Sequence, residues 1–234
     1  MASERTMSNG MHAQSGVHHD QALKQPAKGL SPSPTVFVVD DDAAVLKGLS
    51  RLLRSAGLAV ATFPSPREFL DSHDPNTPGC LVLDVAMPEL NGLELQQTLL
   101  ASGHELAIIF LTGHGDIPMS VKAIKHGAVD FLTKPVSDDD LLQAVRDAIE
   151  KDRLQRQARA EVADIQQRLA TLTPREREVL EHVISGQLNK QIAADLGTVE
   201  KTVKVHRARV MQKMKVQSVA ELVRLAERAG FGGK

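Results

Sequence analysis

The chain has 234 residues, enough for one large domain or two ordinary ones, and its 42% of hydrophobic residues is sufficient for cores of normal size. Its single cysteine, Cys80, excludes an intramolecular disulfide, no apolar run approaches the ~20 residues that span a bilayer, and the N-terminus lacks the apolar stretch of a secretion signal, so a cytoplasmic protein with no membrane partner is expected. The formal net charge of −1 hides a split: residues 35–137 carry 7 Lys/Arg against 12 Asp/Glu and residues 171–234 carry 12 against 7, which points to a polyanion partner for the C-terminal part alone.

Residues 1–34 are rich in Ser, Gln, Gly, Pro and His with few large apolar side chains, and a disordered extension is expected there, with His12, His18 and His19 in a solvated tail. From residue 35 the pattern alternates strand and helix five times. The continuous apolar run 35–39 reads as a strand buried on both faces, and Ala44, Val45, Leu49, Leu52 and Leu53 place a helical stripe after it, stopped by Gly57. A strand at 58–63 leads to Ser65-Pro66, an N-cap with proline at the first helical position. Strands follow at 80–83, 107–111 and 129–132, with helices at 92–100 and 118–126. This order predicts a doubly wound five-stranded parallel α/β sheet. Cys80 opens a buried strand and reads as an inert thiol.

Ser137 with Asp138, Asp139 and Asp140 is a strong N-cap with acids in the first helical turn, and the helix starting there meets few stop signals until Thr173-Pro174. Leu141, Leu142, Val145, Ala148 and Ile149 face the sheet; Leu154, Ala158, Val162, Ile165 and Leu169 then recur at steps of three or four. That spacing fits either a coiled-coil seam between two chains or a solvated linker helix. Thr173-Pro174-Arg175-Glu176 reads as a capping box for a helix ended by Gly186, Asn189 as the cap of a second helix ended by Gly197, and residues 200–215 as a basic third helix. Helix, tight glycine turn, basic helix is the helix-turn-helix order, in which the second of the two helices enters the major groove of double-stranded DNA. Lys201, Lys204, Arg207 and Lys213 supply phosphate-directed charge; Lys204, Val205 and Ala208 face base edges; Asn189 and Lys190 meet the backbone, and Thr202 completes the contact set. Ser218 caps a last helix suited to dimer contacts or to closing the small core.

Four polar signals stand directly after apolar strands: Asp40-Asp41, Asp84, Thr112 and Lys134. In an open α/β sheet the crevice lies outside the carboxyl ends of the strands, so these residues converge there. Asp40, Asp41 and Asp84 are hard oxygen donors of the kind Mg²⁺ takes, and one carboxylate is then placed to attack a phosphoryl donor, with Lys134 and Thr112 stabilising the transferred oxygens.

The segments Val38-Val39-Asp40-Asp41-Asp42, Leu83-Asp84-Val85-Ala86-Met87-Pro88, Leu111-Thr112-Gly113-His114-Gly115-Asp116 and Phe131-Leu132-Thr133-Lys134-Pro135 resemble the signatures of two-component receiver domains, which have a flavodoxin-like fold. The C-terminal part is similar to the LuxR-type helix-turn-helix domain, and the whole resembles response regulators of the NarL/FixJ class. The resemblance implies a receiver domain at 35–150, a helical linker at 151–170 and a DNA-binding domain at 171–234. It implies Asp84 as the phosphoacceptor, Asp40, Asp41, Asp84 and the backbone carbonyl of Ala86 as holders of Mg²⁺, Thr112 and Lys134 as phosphoryl contacts, and a cis bond at Lys134-Pro135. The switch positions are Thr112 and Phe131, the latter without the hydroxyl a tyrosine would bring. A sensor histidine kinase, DNA and a second copy of the chain after phosphorylation are the implied partners, with RNA polymerase a further candidate. A transcription regulator, not an enzyme, is expected; the competing readings are a small-molecule phosphatase or phosphotransferase, and a DNA-binding module whose receiver works without phosphate.

Overall fold

A computed structural model describes residues 33–113 and 117–231. The expected disordered extension at 1–34 and the motif residues His114, Gly115 and Asp116 lie wholly or almost wholly outside the described residues. Five parallel strands, β1 (Thr35–Val39), β2 (Ala59–Phe63), β3 (Gly79–Asp84), β4 (Ala107–Thr112) and β5 (Asp130–Thr133), lie in the order β2-β1-β3-β4-β5. Helices α1 (Ala43–Ser55), α2 (Pro66–Ser72), α3 (Gly92–Ala101) and α4 (Ile117–Lys125) connect them, and α5 (Asp138–Ala170) follows.

Side chains that alternate along a strand divide the sheet into two faces. Phe37, Val39, Leu81, Leu83, Ile108 and Phe110 pack with Phe69 of α2, Leu95 and Leu99 of α3 and Ala123 of α4. Val36, Val38, Cys80, Val82, Ile109 and Leu111 pack on the other face with Leu53 of α1 and Leu141, Ala144, Val145 and Ala148 of α5. Every side chain of β3 and β4 is buried, which is why those runs carry no polar residue until their last position.

The caps form where expected. Asp42 accepts the Ala44 and Val45 N–H groups at 2.7 and 3.4 Å, Ser65 that of Glu68 at 3.2 Å, and Ser137 that of Asp140 at 3.1 Å. Strand and helix ends differ from the sequence reading by about one residue. The helix capped by Ser137 runs unbroken as expected, forming α5, one helix of 33 residues. Leu154 and Ala158 of the expected seam are exposed, but Ile165 and Leu169 are buried in this chain's own C-terminal core, so the apolar spacing there serves an intrachain contact.

That core is closed by α6 (Pro174–Ile184), α7 (Asn189–Asp195), α8 (Glu200–Met214) and α9 (Val219–Arg228). The Thr173/Glu176 capping box is present, with Thr173 N–H donating to Glu176 Oε2 at 2.9 Å. Asn189 is not a cap. Leu188 occupies that position and its N–H donates to Gln191 Oε1 at 2.8 Å, which leaves the Asn189 side chain for another partner.

Asp152 of α5 is 1% exposed; it continues the buried stripe of Leu141, Val145 and Ala148 at steps of three and four, although its side chain is charged. Its Oδ2 accepts the Gly79 N–H at 3.0 Å and pairs with Arg156 Nε at 2.8 Å. The Arg156 guanidinium in turn donates to the carbonyls of Pro75, Asn76 and Thr77 at 3.2, 3.0 and 2.7 Å. Gly79 is required here: its φ is +148°, and a Cβ would lie 1.8 Å from the Thr35 carbonyl oxygen.

Candidate functional site

The strand order reverses between β1 and β3, so the crevice opens at their carboxyl ends. Asp40 follows β1, and its N–H donates to the Phe63 carbonyl at 3.3 Å. Asp84 ends β3, facing Leu111 across the ladder; Thr112 ends β4, paired with Thr133, and the Lys134 N–H donates to the Thr112 carbonyl at 2.7 Å. Register therefore sets Asp84, Thr112 and Lys134 side by side. Asp40, Asp84 and Thr112 are buried and Asp41 is exposed at the mouth.

One carboxylate oxygen from each of Asp40, Asp41 and Asp84 lies within 4.8 Å of the other two. Lys134 Nζ donates to Asp40 Oδ2 at 2.6 Å and to Asp84 Oδ1 at 3.0 Å, while Asp84 Oδ2 accepts the Ala86 N–H at 3.1 Å. Burial by itself would lower the Lys134 ammonium; the hydrogen bonds and charges of Asp40 and Asp84 outweigh it and hold the ammonium above its ordinary value. Asp40 Oδ1 also accepts the Asp42 N–H at 2.9 Å, which fixes the loop that carries Asp41. Ala86 is exposed beside the cluster.

Three acidic groups with one ammonium among them leave excess negative charge in a partly buried crevice. The donor set, all carboxylate oxygen, fits a hard divalent cation. Phe131 is half-buried on β5 with its ring centroid 6.0 Å from that of Phe110, to which it is paired in register. The Lys134-Pro135 bond is cis.

In the C-terminal part, residues spaced by three and four put Lys201, Lys204, Val205 and Ala208 on one exposed face of α8, opposite the buried Val203, Val210 and Met214. Val205 is 45% exposed. Lys204 pairs with Glu200 at 3.0 Å, and Arg207 donates to Asn189 Oδ1 at 3.0 Å, tying α8 to the start of α7 beside the exposed Lys190. Thr202 is half-buried at the edge of that face.

Lys213 is the exception. It donates to Glu176 Oε2 at 2.6 Å and to the Thr171 carbonyl at 2.9 Å, so its charge is spent inside the domain and away from the exposed stripe. Helical periodicity explains this, since Lys213 falls roughly 120° around the axis from Lys201. Gln212 falls within the stripe and is exposed, a position that residue type alone did not mark. His206 is half-buried with its Nδ1 enclosed.

Two family models match the chain. Residues 36–146 match the response regulator receiver domain, and residues 170–226 match the bacterial regulatory proteins of the luxR family. Nodulation protein W of Bradyrhizobium diazoefficiens is 49% identical over 201 residues, covering 86% of this chain and 88% of that protein. The transcriptional regulatory protein FixJ of Azorhizobium caulinodans is 47% identical over 195 residues, covering 83% and 92%. The solved structure of the response regulator StyR is 49% identical with a TM-score of 0.76, covering 84% of this chain and 99% of that one.

Proposed function

Because the chain belongs to the response regulators that join a receiver domain to a LuxR-type DNA-binding domain, as DNA-binding transcriptional regulators of two-component systems, we propose that Asp84 accepts a phosphoryl group from a sensor histidine kinase and that the modified chain pairs with a second copy to bind DNA. The receiver comprises residues 35–150, the linker 151–170 and the DNA-binding part 171–234. The observation that carries the reading is the Lys134 ammonium bridging Asp40 and Asp84, 2.6 and 3.0 Å away, at the carboxyl edge of the sheet.

An Asp84 carboxylate oxygen attacks phosphorus; the P–O bond forms as the P–N bond to the donor histidine breaks, with its electron pair leaving on nitrogen. Lys134 then turns from the carboxylate pair toward the phosphoryl oxygens, and the Thr112 hydroxyl donates to them. Asp40, Asp41, Asp84 and the Ala86 carbonyl would hold Mg²⁺, which would supply positive charge against the phosphoryl oxygens. The added charge draws Thr112 inward, and Phe131, with no hydroxyl to anchor it, follows by packing against Phe110.

On α4 the side chains of Ile117, Val121 and Ile124 lie at helical spacing and are 80%, 45% and 46% exposed. An apolar stripe of this kind next to the switch residues supports pairing of two copies there. Pairing helps because phosphate contacts are individually weak and salt-sensitive, and two recognition helices engage two half-sites about one helical turn apart.

A small phosphodonor with Mg²⁺ is expected to label the wild type and not Asp84→Asn; labelling that persists in the variant overturns the assignment. In the DNA-binding part, Lys204→Ala is expected to reduce sequence-selective binding more than non-specific binding.

A further inference from the structure

At the amino-terminal edge of the sheet, remote from Asp84, two histidines face each other. His73 follows α2 and His104 lies in the loop before β4, with ring centroids 6.5 Å apart and planes at 81°. The His73 ring stacks on Phe69 at 4.8 Å between centroids and meets Phe37 edge-on at 4.7 Å. Nδ1 of each histidine is buried and has no hydrogen-bond partner among the described residues. His73, Pro75, His104, Glu105, Arg156 and Arg159 line one small cavity. Arg156 is the guanidinium that holds the carbonyls of Pro75, Asn76 and Thr77, which follow His73 directly in the chain after Asp74.

A neutral imidazole with its proton on Nε2 leaves Nδ1 a bare acceptor, whereas an imidazolium donates from both nitrogens and its buried Nδ1–H would meet no acceptor. The charges around His73 do not repair this. From α5, Arg156 repels an imidazolium, Asp152 is taken by Arg156 at 2.8 Å, and Arg159 is offset by Glu105 of the loop before β4 at 3.8 Å. His104, when protonated, repels it as well, and β1 and α2 present only Phe37 and Phe69 to the ring. The exposed Asp74 alone favours the cation. Burial first, then His104, hold His73 below its ordinary value of 6.5, with Arg156 adding to them and Asp74 opposing. A protonated ring is accommodated only by leaving its seat.

We propose that His73, packed against His104, is a proton-sensitive latch on α5: proton uptake expels the ring from its seat on Phe37 and Phe69, shifts residues 75–77 and frees the Arg156 guanidinium. Residues 157–161 are all exposed, so Arg156 fastens α5 where the helix leaves the sheet, and its release loosens the base of the linker. The unfolded chain takes up this proton at the ordinary value of 6.5 and the folded chain only at lower pH. Stability therefore falls as pH drops from 6.5 to the folded value and does not return below it. The latch makes no use of Asp84 and stands or falls independently of phosphoryl transfer.

The test is an NMR titration of the full chain from about pH 7.5 to about pH 4.5, following the His73 imidazole, the Asn76, Thr77 and Gly79 amides and the Arg156 Nε–H signal. The His73 midpoint is expected below 6.5, and the three amides are expected to follow its curve. Along the same curve the Arg156 Nε–H signal is expected to move from its Asp152-bonded position to that of a free arginine. His73→Phe keeps an aromatic ring on Phe37 and Phe69 without a titrating group, and is expected to leave the three amides and the Arg156 signal in place over this range. A His73 midpoint at or above 6.5, or an Arg156 signal that stays in its bonded position once His73 is protonated, overturns the proposal from the wild-type curves alone. The same pH response in a folded His73→Phe chain overturns it as well.

Discussion

The Asp152 carboxylate on α5 accepts the backbone N–H of Gly79, the first residue of β3, at 3.0 Å across 73 positions of sequence. Removing it strands both that N–H and the Arg156 guanidinium, which reaches three carbonyls of residues 75–77. Asp152→Ala is expected to cost about 2–4 kcal/mol in urea unfolding, and Asp152→Asn less, because an amide oxygen still accepts from Gly79. A loss below ~0.5 kcal/mol for Asp152→Ala would contradict the role given to this pair.

Lys134 and a divalent cation compete for the same carboxylates. With Lys134→Met, Asp40 and Asp84 are left buried without a counter-charge, and in metal-free buffer a loss of about 1–3 kcal/mol is expected. Millimolar Mg²⁺ should then raise the Tm of Lys134→Met more than that of the wild type, since no ammonium has to be displaced. Equal gains in the two proteins would refute this. The ammonium's raised pKa means that its contribution is fully present below the ordinary value of 10.5 and is lost only as pH rises through the higher folded value, so the competition persists across the neutral range.

Gly92 begins α3 where a Cβ would lie 2.3 Å from the Asp84 carbonyl oxygen and 3.1 Å from Val85 Cα. Its N–H donates to the Val85 carbonyl at 3.1 Å. Since both neighbours are backbone, Gly92→Ala must push the loop after Asp84 aside. A stability loss of about 1–3 kcal/mol is expected, together with slower labelling by a phosphodonor. A variant with wild-type labelling rate and stability would show that the loop yields freely.

Glu176 is 2% exposed, and the hydrogen bond from Lys213, then that from the Thr173 N–H, hold its carboxyl below the ordinary value of 4.5 against the opposing effect of burial. A depressed carboxyl contributes stability above the unfolded pKa, and that contribution is lost as pH falls through the folded one. Glu176→Gln should therefore be less stable than wild type at pH 7, with the difference shrinking below pH 4.5 in chemical unfolding. In DNA binding, Lys213→Ala should leave the salt slope unchanged, whereas Lys201→Ala lowers it by about one. A lowered slope for Lys213→Ala would place that side chain on the DNA after all.

The amino-acid order alone determined the five strands, their alternation with helices, the caps at Asp42, Ser65 and Ser137, and the residues that meet at the crevice. Apolar period and cap chemistry act over a few neighbours, and a parallel sheet brings every strand's last residue to one edge. It also placed Val205 and Ala208 with Lys201 and Lys204, which needs only 100° per residue. That angle sets Lys213 apart from them, and its ammonium pairs with Glu176, a partner that charge alone does not reveal. Tertiary structure decided what depends on distant partners: that Asp152 is buried against Gly79, that Ile165 and Leu169 fill this chain's own helical core, that Asn189 serves Arg207 rather than its helix terminus, and that Gln96 ties α3 to the end of α4. In each case a polar or apolar side chain has several possible uses in its local helix, and a group far along the chain, brought near only by packing, selects one of them.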